Sequence, residues 1–245
     1  MTTKEIIRCY AWSQPGLSFS RKGLLSWVQE MGLSESITDS AISLSLNRML
    51  QCGELVKKAW GQYSVKERSK RPFFPIPNDD IKGIYQLLKD EFPYTNMCVW
   101  DPRIIVPFMQ HIPNIQLLIA EVERVAMEPA FNLLQANVPN LRVIFNPSSV
   151  DYAHYVSGYP SIVVKPLISQ APMFHWGGIL MPSLEKIMVD IIGDVEFTFA
   201  QGAELNTIYD TIMSSYEVNN NALFRYADRR GRRGEVERLI KASGL

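Results

Sequence analysis

A two-part chain of the α+β or α/β class is what this sequence predicts, and three observations predict it. Helical apolar spacings followed by a short basic hairpin pattern fill the first 65 residues, a proline-rich stretch comes next, and short β-branched runs then alternate with helix-like segments. The parts are placed at residues 1–70 and 71–245, with a connector at about residues 66–78, where "KERSKRPFFPIPNDD" carries Pro72, Pro75 and Pro77. Proline fixes φ and lacks an amide donor, so this run suits an extended connector and neither a helix interior nor a central strand.

Three helix patterns precede the connector. Thr2 and Glu5 have the spacing of a capping box ahead of Ile6, Ile7 and Tyr10. Ser20 precedes "RKGLLSWVQEM", in which Leu24, Leu25 and Val28 share a face. The third pattern, about Ser36 to Gln51, gathers Ile42, Leu46, Met49 and Leu50 on one side and Ser40, Ser43, Asn47 and Gln51 on the other. A merely solvated face would more often carry Lys and Glu; Ser, Asn and Gln present donors and acceptors suited to base edges in a major groove. Leu44 intrudes on that polar side, either to meet a thymine methyl or because the phase is slightly different.

Gly53 stops the third helix, and "GELVKKAWGQYSV" then reads as a hairpin with Leu55, Tyr63 and Val65 facing inward, Lys57 and Lys58 near the turn, and Gly61 at the reversal. Three helices and a two-stranded wing predict a winged helix-turn-helix, with the third helix in a DNA groove and the wing on the backbone. Arg21, Lys22, Lys57 and Lys58 are the expected phosphate contacts, and Ser40, Ser43 and Asn47 the expected base readers. Arg48, Trp60 and Gln62 complete the expected DNA-binding set. Winged helices also serve as protein-protein modules, so the fold alone does not decide the partner.

Charge supports the division. Lys and Arg against Asp and Glu run 11 to 6 over residues 1–71, 7 to 16 over 72–224, and 7 to 3 over 225–245, although the whole chain is neutral. Basic ends suit a polyanion, and the acidic middle faces something else. At 245 residues and 47% hydrophobic, the chain is long and apolar enough to bury a core. The longest apolar runs, "IQLLIA" and "SIVV", fall far short of the roughly 18 residues of a membrane span. Met1 to Gln14 has no charged start followed by an apolar run and a cleavage site, so a cytoplasmic protein without a membrane partner is expected. Cys9, Cys52 and Cys98 lie far apart without a CxxC pair, as expected of buried thiols rather than a disulfide or zinc framework.

In the second part, "MCVW", "IQLLIAEVE", "LRVIF" and "SIVVK" read as strands of a small mixed or parallel sheet, with helical spacing around "MEPAFNLLQ". "MPSLEKIMVDIIGD" is the clearest helix, with Leu184, Ile187, Met188, Ile191 and Ile192 on one face and Lys186 and Asp190 together on the opposite one. The latter two are expected to form an exposed i, i+4 pair worth a few tenths of a kcal/mol. The end, "NNNALFRYADRRGRRGEVERLIKASGL", reads as two helices with an Arg-Gly elbow.

Chemistry is sparse. His111, His154 and His175 are not spaced as HxxxH, and no nucleotide-loop or hydrolase-elbow motif occurs; "SGYPS" at Ser157 to Ser161 carries no such signal either. No cofactor and no enzymatic activity are expected. Asp101, Glu121 and Glu123 form the one arrangement open to a Mg²⁺-dependent nuclease, but Arg124 stands where such enzymes usually carry a Lys. Arg229, Arg230, Arg232 and Arg233 are candidate contacts to DNA, RNA or an acidic partner, or favour their helix C-terminus through its dipole.

The order of an N-terminal winged helix, a helix reading "PSLEKIMVDII" and a late "ALFRYADRRGRR" resembles the AbiEi-like antitoxins of type IV toxin-antitoxin systems. Specific matches cover Pro182 to Ile192 and Leu223 to Arg233. The resemblance implies a repressor that binds double-stranded DNA at its own promoter and opposes a cognate toxin of the nucleotidyltransferase class through the C-terminal domain. The alternative is a transcription factor whose C-terminal domain senses a small molecule.

Overall fold

The structure, a computed structural model, describes residues 1–66, 70–156 and 158–244. The fold is mixed α+β, ends in helices, and divides into two units: Met1–Phe74 with Ser215–Glu217, and Pro75–Ser214 with Val218–Leu245. Part of the expected connector, residues 67–69, lies outside the described residues, as does Ser157 of "SGYPS".

Unit 1 runs α1 (Thr3–Ser13), β1 (Ser18–Ser20), α2 (Arg21–Glu30), α3 (Asp39–Gln51), β2 (Leu55–Ala59) and β3 (Gln62–Val65). The capping box forms: Thr2 Oγ1 accepts from the Glu5 amide at 3.3 Å and Glu5 Oε2 from the Thr2 amide at 2.7 Å. Ser20 Oγ likewise accepts from the Gly23 amide at 2.9 Å. The third helix starts later than Ser36, because Thr38 caps it through the Ala41 amide, while Leu33 and Ile37 plug the preceding turn into the core. Gly53, at φ 73°, ends α3, and the Glu54 amide returns to the Met49 carbonyl at 2.9 Å.

The antiparallel sheet has the order β1-β3-β2. Leu55 pairs with Val65 and both are buried, so the hairpin turns its base inward and its tip outward. A register shift between Lys57 and Ala59 bends the outer strand ahead of the Trp60-Gly61 turn. Strand β1 brings Phe19 against Tyr63, with ring centroids 5.5 Å apart, and Ile7, Leu24, Ile42, Leu46 and Met49 fill the space beneath.

Unit 2 runs α4 (Asp79–Glu91), β4 (Met97–Trp100), β5 (Leu117–Val122), α5 (Met127–Asn137), β6 (Arg142–Phe145), the single turn α6 (Ser149–Asp151), β7 (Ser161–Pro166), β8 (Met173–Trp176), β9 (Ile179–Pro182), α7 (Leu184–Asp190), α8 (Ala203–Ser215), α9 (Asn220–Arg230) and α10 (Arg233–Ala242). Its main sheet has the order β4-β5-β7-β6, parallel except for β4, and β8–β9 form a separate hairpin. The central strands are buried along most of their length, as strands covered on both faces must be. Helix α7 is buried from end to end and packs on α9. Among the described residues no helix is long and apolar enough to cross a membrane.

Candidate nucleic-acid interface and the buried charge network

Helix α3 presents Ser40, Leu44, Asn47, Arg48 and Gln51 to solvent, while Ile42, Leu46 and Met49 anchor its other side. Leu44, at 52% exposed, does stand on the polar face. Along the hairpin that follows, Lys57, Lys58, Trp60 and Gln62 are exposed, and Trp60 is 94% accessible at the tip. The Lys57 ammonium sits 5.2 Å from the Trp60 ring centroid, close enough for the ring to steady it. Lys22 is exposed in the first turn of α2.

Two of the expected contacts are already engaged. Arg21 Nη2 donates to Asp39 Oδ1 at 2.6 Å and to Ser43 Oγ at 3.1 Å, and Ser43 Oγ donates to the Asp39 carbonyl at 3.0 Å. Arg21 therefore clips the start of α2 to the start of α3, so that the expected phosphate contact Arg21 and the expected base reader Ser43 both have partners within the chain. The clip is reinforced by the Arg21 amide, which donates to the Gly61 carbonyl of the hairpin turn at 2.8 Å. Glu54 is similarly occupied by Lys4 at 2.5 Å. Lys22, Arg48, Lys57 and Lys58 have no carboxylate partner among the described residues, so positive charge is left on the α2, α3 and hairpin surfaces.

The larger departure from expectation lies in unit 2. Lys186 is 0% exposed, not solvated, and its Nζ lies 2.6 Å from both Glu121 Oε1 and Asp190 Oδ2. The supposed outer face of α7 is an inner one, because α7 packs between the sheet and α9. Trp100 Nε1 donates to Glu121 Oε1 at 2.8 Å, and the Lys186 ammonium stands 5.2 Å from the Trp100 ring centroid. From α9, Tyr226 Oη and Arg230 Nη1 donate to Asp190 Oδ1 at 2.9 and 2.8 Å.

The network continues past the helix. Arg230 Nη2 and Arg232 Nη2 both lie 2.6 Å from Asp194 Oδ1, while Lys165 Nζ bridges Asp194 Oδ2 and Glu196 Oε2 at 2.9 Å each. Glu121, Asp190, Asp194 and Glu196 are thus matched by Lys165, Lys186, Arg230 and Arg232, a balance that satisfies the rule that buried charges be paired. Burial opposes the Lys186 ammonium, but the Asp190 and Glu121 carboxylates prevail and hold its pKa well above the ordinary lysine value. It is a fixed cation, not a general base. Burial likewise opposes the Asp194 carboxylate, yet Lys165, Arg230 and Arg232 hold its pKa well below the usual carboxylate range.

These contacts split the C-terminal arginine run. Arg230 and Arg232 are committed to inner carboxylates, with Arg232 Nη1 also donating to the Val189 carbonyl at 3.0 Å, so of the run only Arg229 and Arg233 are left at the surface. Arg233 pairs with Asp228 and Glu237 at 2.8 Å. Arg229 is exposed and donates to Ser169 Oγ.

The nuclease carboxylates do not converge. Glu121 faces Trp100 and Lys186, Asp101 Oδ2 accepts from Arg103 Nε at 2.7 Å, and Glu123 Oε1 accepts from Asn96 Nδ2 at 2.6 Å. No group of three or more His, Cys, Asp or Glu is placed to hold a metal among the described residues. His111 pairs with Glu204 at 2.9 Å, and His154 and His175 are exposed. Cys98 is buried and Cys9 half-buried, but Cys52 is exposed, against the expectation of three buried thiols.

A family model described as "Family of unknown function (DUF6577)" matches residues 41–244, from within α3 through α10. The comparison with curated proteins found no match.

Proposed function

Because the chain belongs to this family of unknown function, its role must be argued from its own residues, and we propose that it is a non-enzymatic, DNA-binding transcriptional regulator. The reading takes unit 1 as a winged helix-turn-helix. Its order of helix, strand, helix, helix and hairpin, with the sheet order β1-β3-β2, supports that reading. The observation that carries it furthest is the pairing of the exposed Ser40, Asn47 and Gln51 face of α3 with the Lys57 and Lys58 cations of the hairpin that follows.

In this reading α3 enters the major groove, where Asn47 reads a base edge, and Arg48 joins the hairpin cations on phosphate. Trp60 and Gln62 rest on the backbone beside them. The resemblance to AbiEi-like antitoxins supports a more specific role: an autorepressor whose second unit opposes a nucleotidyltransferase-class toxin.

Electrophoretic mobility shift of the DNA upstream of its own gene, with the full chain, across a salt series and against random DNA, tests the proposal. Preference for the upstream DNA is expected, weakening as salt rises. No shift, or equal affinity for random DNA at every salt concentration, overturns it. A small-molecule sensor is the second reading, favoured by a cleft of about 770 Å³ in unit 2 between the start of α4 and the amino ends of β5 and β7. A ligand-dependent change in operator affinity with no protein partner in pulldowns selects it.

A further inference from the structure

Arg124 and Arg229 line one cleft of about 590 Å³ in unit 2 together with Glu123, Leu167, Ile168 and Ser169. Both guanidinium groups are exposed, and neither meets a carboxylate among the described residues. Other cations of the unit, Arg225 and Arg238 among them, also lack an acidic partner among the described residues; what sets Arg124 and Arg229 apart is that they line the same cleft.

The cleft is placed by the sheet. Arg124 follows β5 directly, and the loop carrying Ser169 leaves the adjacent parallel strand β7, so the cleft lies at the carboxyl ends of both. The Leu167 amide donates to the Val122 carbonyl at 2.8 Å, which holds those ends side by side, and the Glu123 amide donates to the Asn96 carbonyl at 3.2 Å, which ties the end of β5 to the start of β4. Ligand crevices of open α/β sheets form outside the carboxyl ends of strands, where loops diverge above a rigid floor. Arg229, from the last turn of α9, is steadied by its bond to Ser169.

A second lobe of about 310 Å³ shares Glu123, Leu167, Ile168 and Ser169, and adds Asn96, Met173 and Leu180. The chemistry therefore changes along the cleft. Two guanidinium forks suit the paired oxygens of a phosphate. Glu123, with Oε1 committed to Asn96, has Oε2 left to accept hydroxyl protons. Leu167, Met173 and Leu180, half-exposed, offer an apolar bed beside the Asn96 amide. We infer that this cleft binds a nucleoside monophosphate: phosphate on Arg124 and Arg229, ribose hydroxyls on Glu123, and base over the apolar lobe.

The test is isothermal titration of the full chain with each of the four common ribonucleoside monophosphates, their nucleosides, inorganic phosphate, and a 5′-phosphorylated oligonucleotide. At least one monophosphate is expected to bind about tenfold or more tightly than its nucleoside and than inorganic phosphate, as charge-assisted bidentate contacts require. Arg124→Ala and Arg229→Ala are each expected to weaken it by about tenfold, while Arg225→Ala, on an exposed part of α9 outside the cleft, leaves it unchanged. Tighter binding of the oligonucleotide than of any free monophosphate, lost in the Arg124→Ala, Arg229→Ala double variant and so not due to unit 1, would reassign the cleft to a nucleic-acid end and overturn the small-ligand inference. So would no monophosphate binding at millimolar concentration, equal binding of inorganic phosphate, or undiminished binding by the Arg124→Ala, Arg229→Ala double variant with an unchanged melting temperature. The titration contains no promoter DNA, so either result leaves the DNA-binding proposal to its own experiment.

Discussion

Lys186 Nζ lies 2.6 Å from Asp190 Oδ2, one helical turn away, with neither residue reaching solvent to any useful extent. On a solvated helix the same i, i+4 pair would matter little. Here the ammonium also neutralises Glu121, so removing it leaves Glu121 buried with only the Trp100 indole as donor and Asp190 with Arg230 as its one remaining cation. Lys186→Met is expected to destabilise the protein by about 3–5 kcal/mol, the usual result of breaking a buried pair. Urea unfolding of the full chain reads this directly, and a destabilisation below about 1 kcal/mol would place the pair in the surface class.

The same network sets an acid limit. Asp194 has a native pKa below its unfolded value, so the unfolded chain binds the extra proton, and stability rises with pH through the interval between the two. The contribution is therefore complete above the unfolded value of about 4 and is lost as pH falls towards the native one. The melting temperature is expected to drop below about pH 5, and Asp194→Asn, although less stable at pH 7, to show a shallower acid limb. A limb of unchanged slope would assign acid sensitivity to other carboxylates.

Much of the secondary structure was legible because local chemistry fixes it. Thr2 with Glu5, Ser20 before Leu24 and Leu25, and Gly53 after Leu50 each act within one turn of chain. Strand β1 was not legible, since three residues carry no period and Phe19 becomes a strand residue only by pairing with Tyr63. The face of α7 misled for a related reason. Lys186 and Asp190 look solvated on a helical wheel, and their burial depends on Glu121 and Arg230, which lie 65 and 40 residues away from their respective partners. A single charge within each apolar run, Glu121 in "LLIAEV" and Lys165 in "SIVVKP", was the available hint. Of the proposed DNA surface, exposure of Ser40, Asn47, Lys57 and Lys58 follows from the amphipathic pattern, whereas the engagement of Arg21 by Asp39 does not.

Asn47 is the sharpest test of base readout. Its side chain is exposed at mid-helix on α3, one turn from Ser43 and Gln51. An amide that bridges a base edge discriminates sequence, while phosphate contacts do not. Asn47→Ala is expected to cost about 1–3 kcal/mol on the upstream DNA and almost nothing on random DNA. Mobility shifts on both DNAs decide it, and an equal weakening on the two would remove α3 from base readout.

The hairpin cations should act through charge alone. Lys57 and Lys58 are exposed beside Trp60, and the ring holds the Lys57 ammonium 5.2 Å from its centroid. Each phosphate they neutralise releases counterions, so Lys57→Ala, Lys58→Ala is expected to flatten the plot of log K against log salt by roughly 0.9 for each phosphate left without its lysine. The weakening should be similar on upstream and random DNA, unlike that of Asn47→Ala. Trp60→Ala, which frees the Lys57 side chain without removing its charge, is expected to lower affinity while leaving the slope nearly intact. An unaltered slope in the double lysine variant would take the hairpin lysines off the DNA backbone and leave Trp60, 94% exposed, to be explained by some other contact.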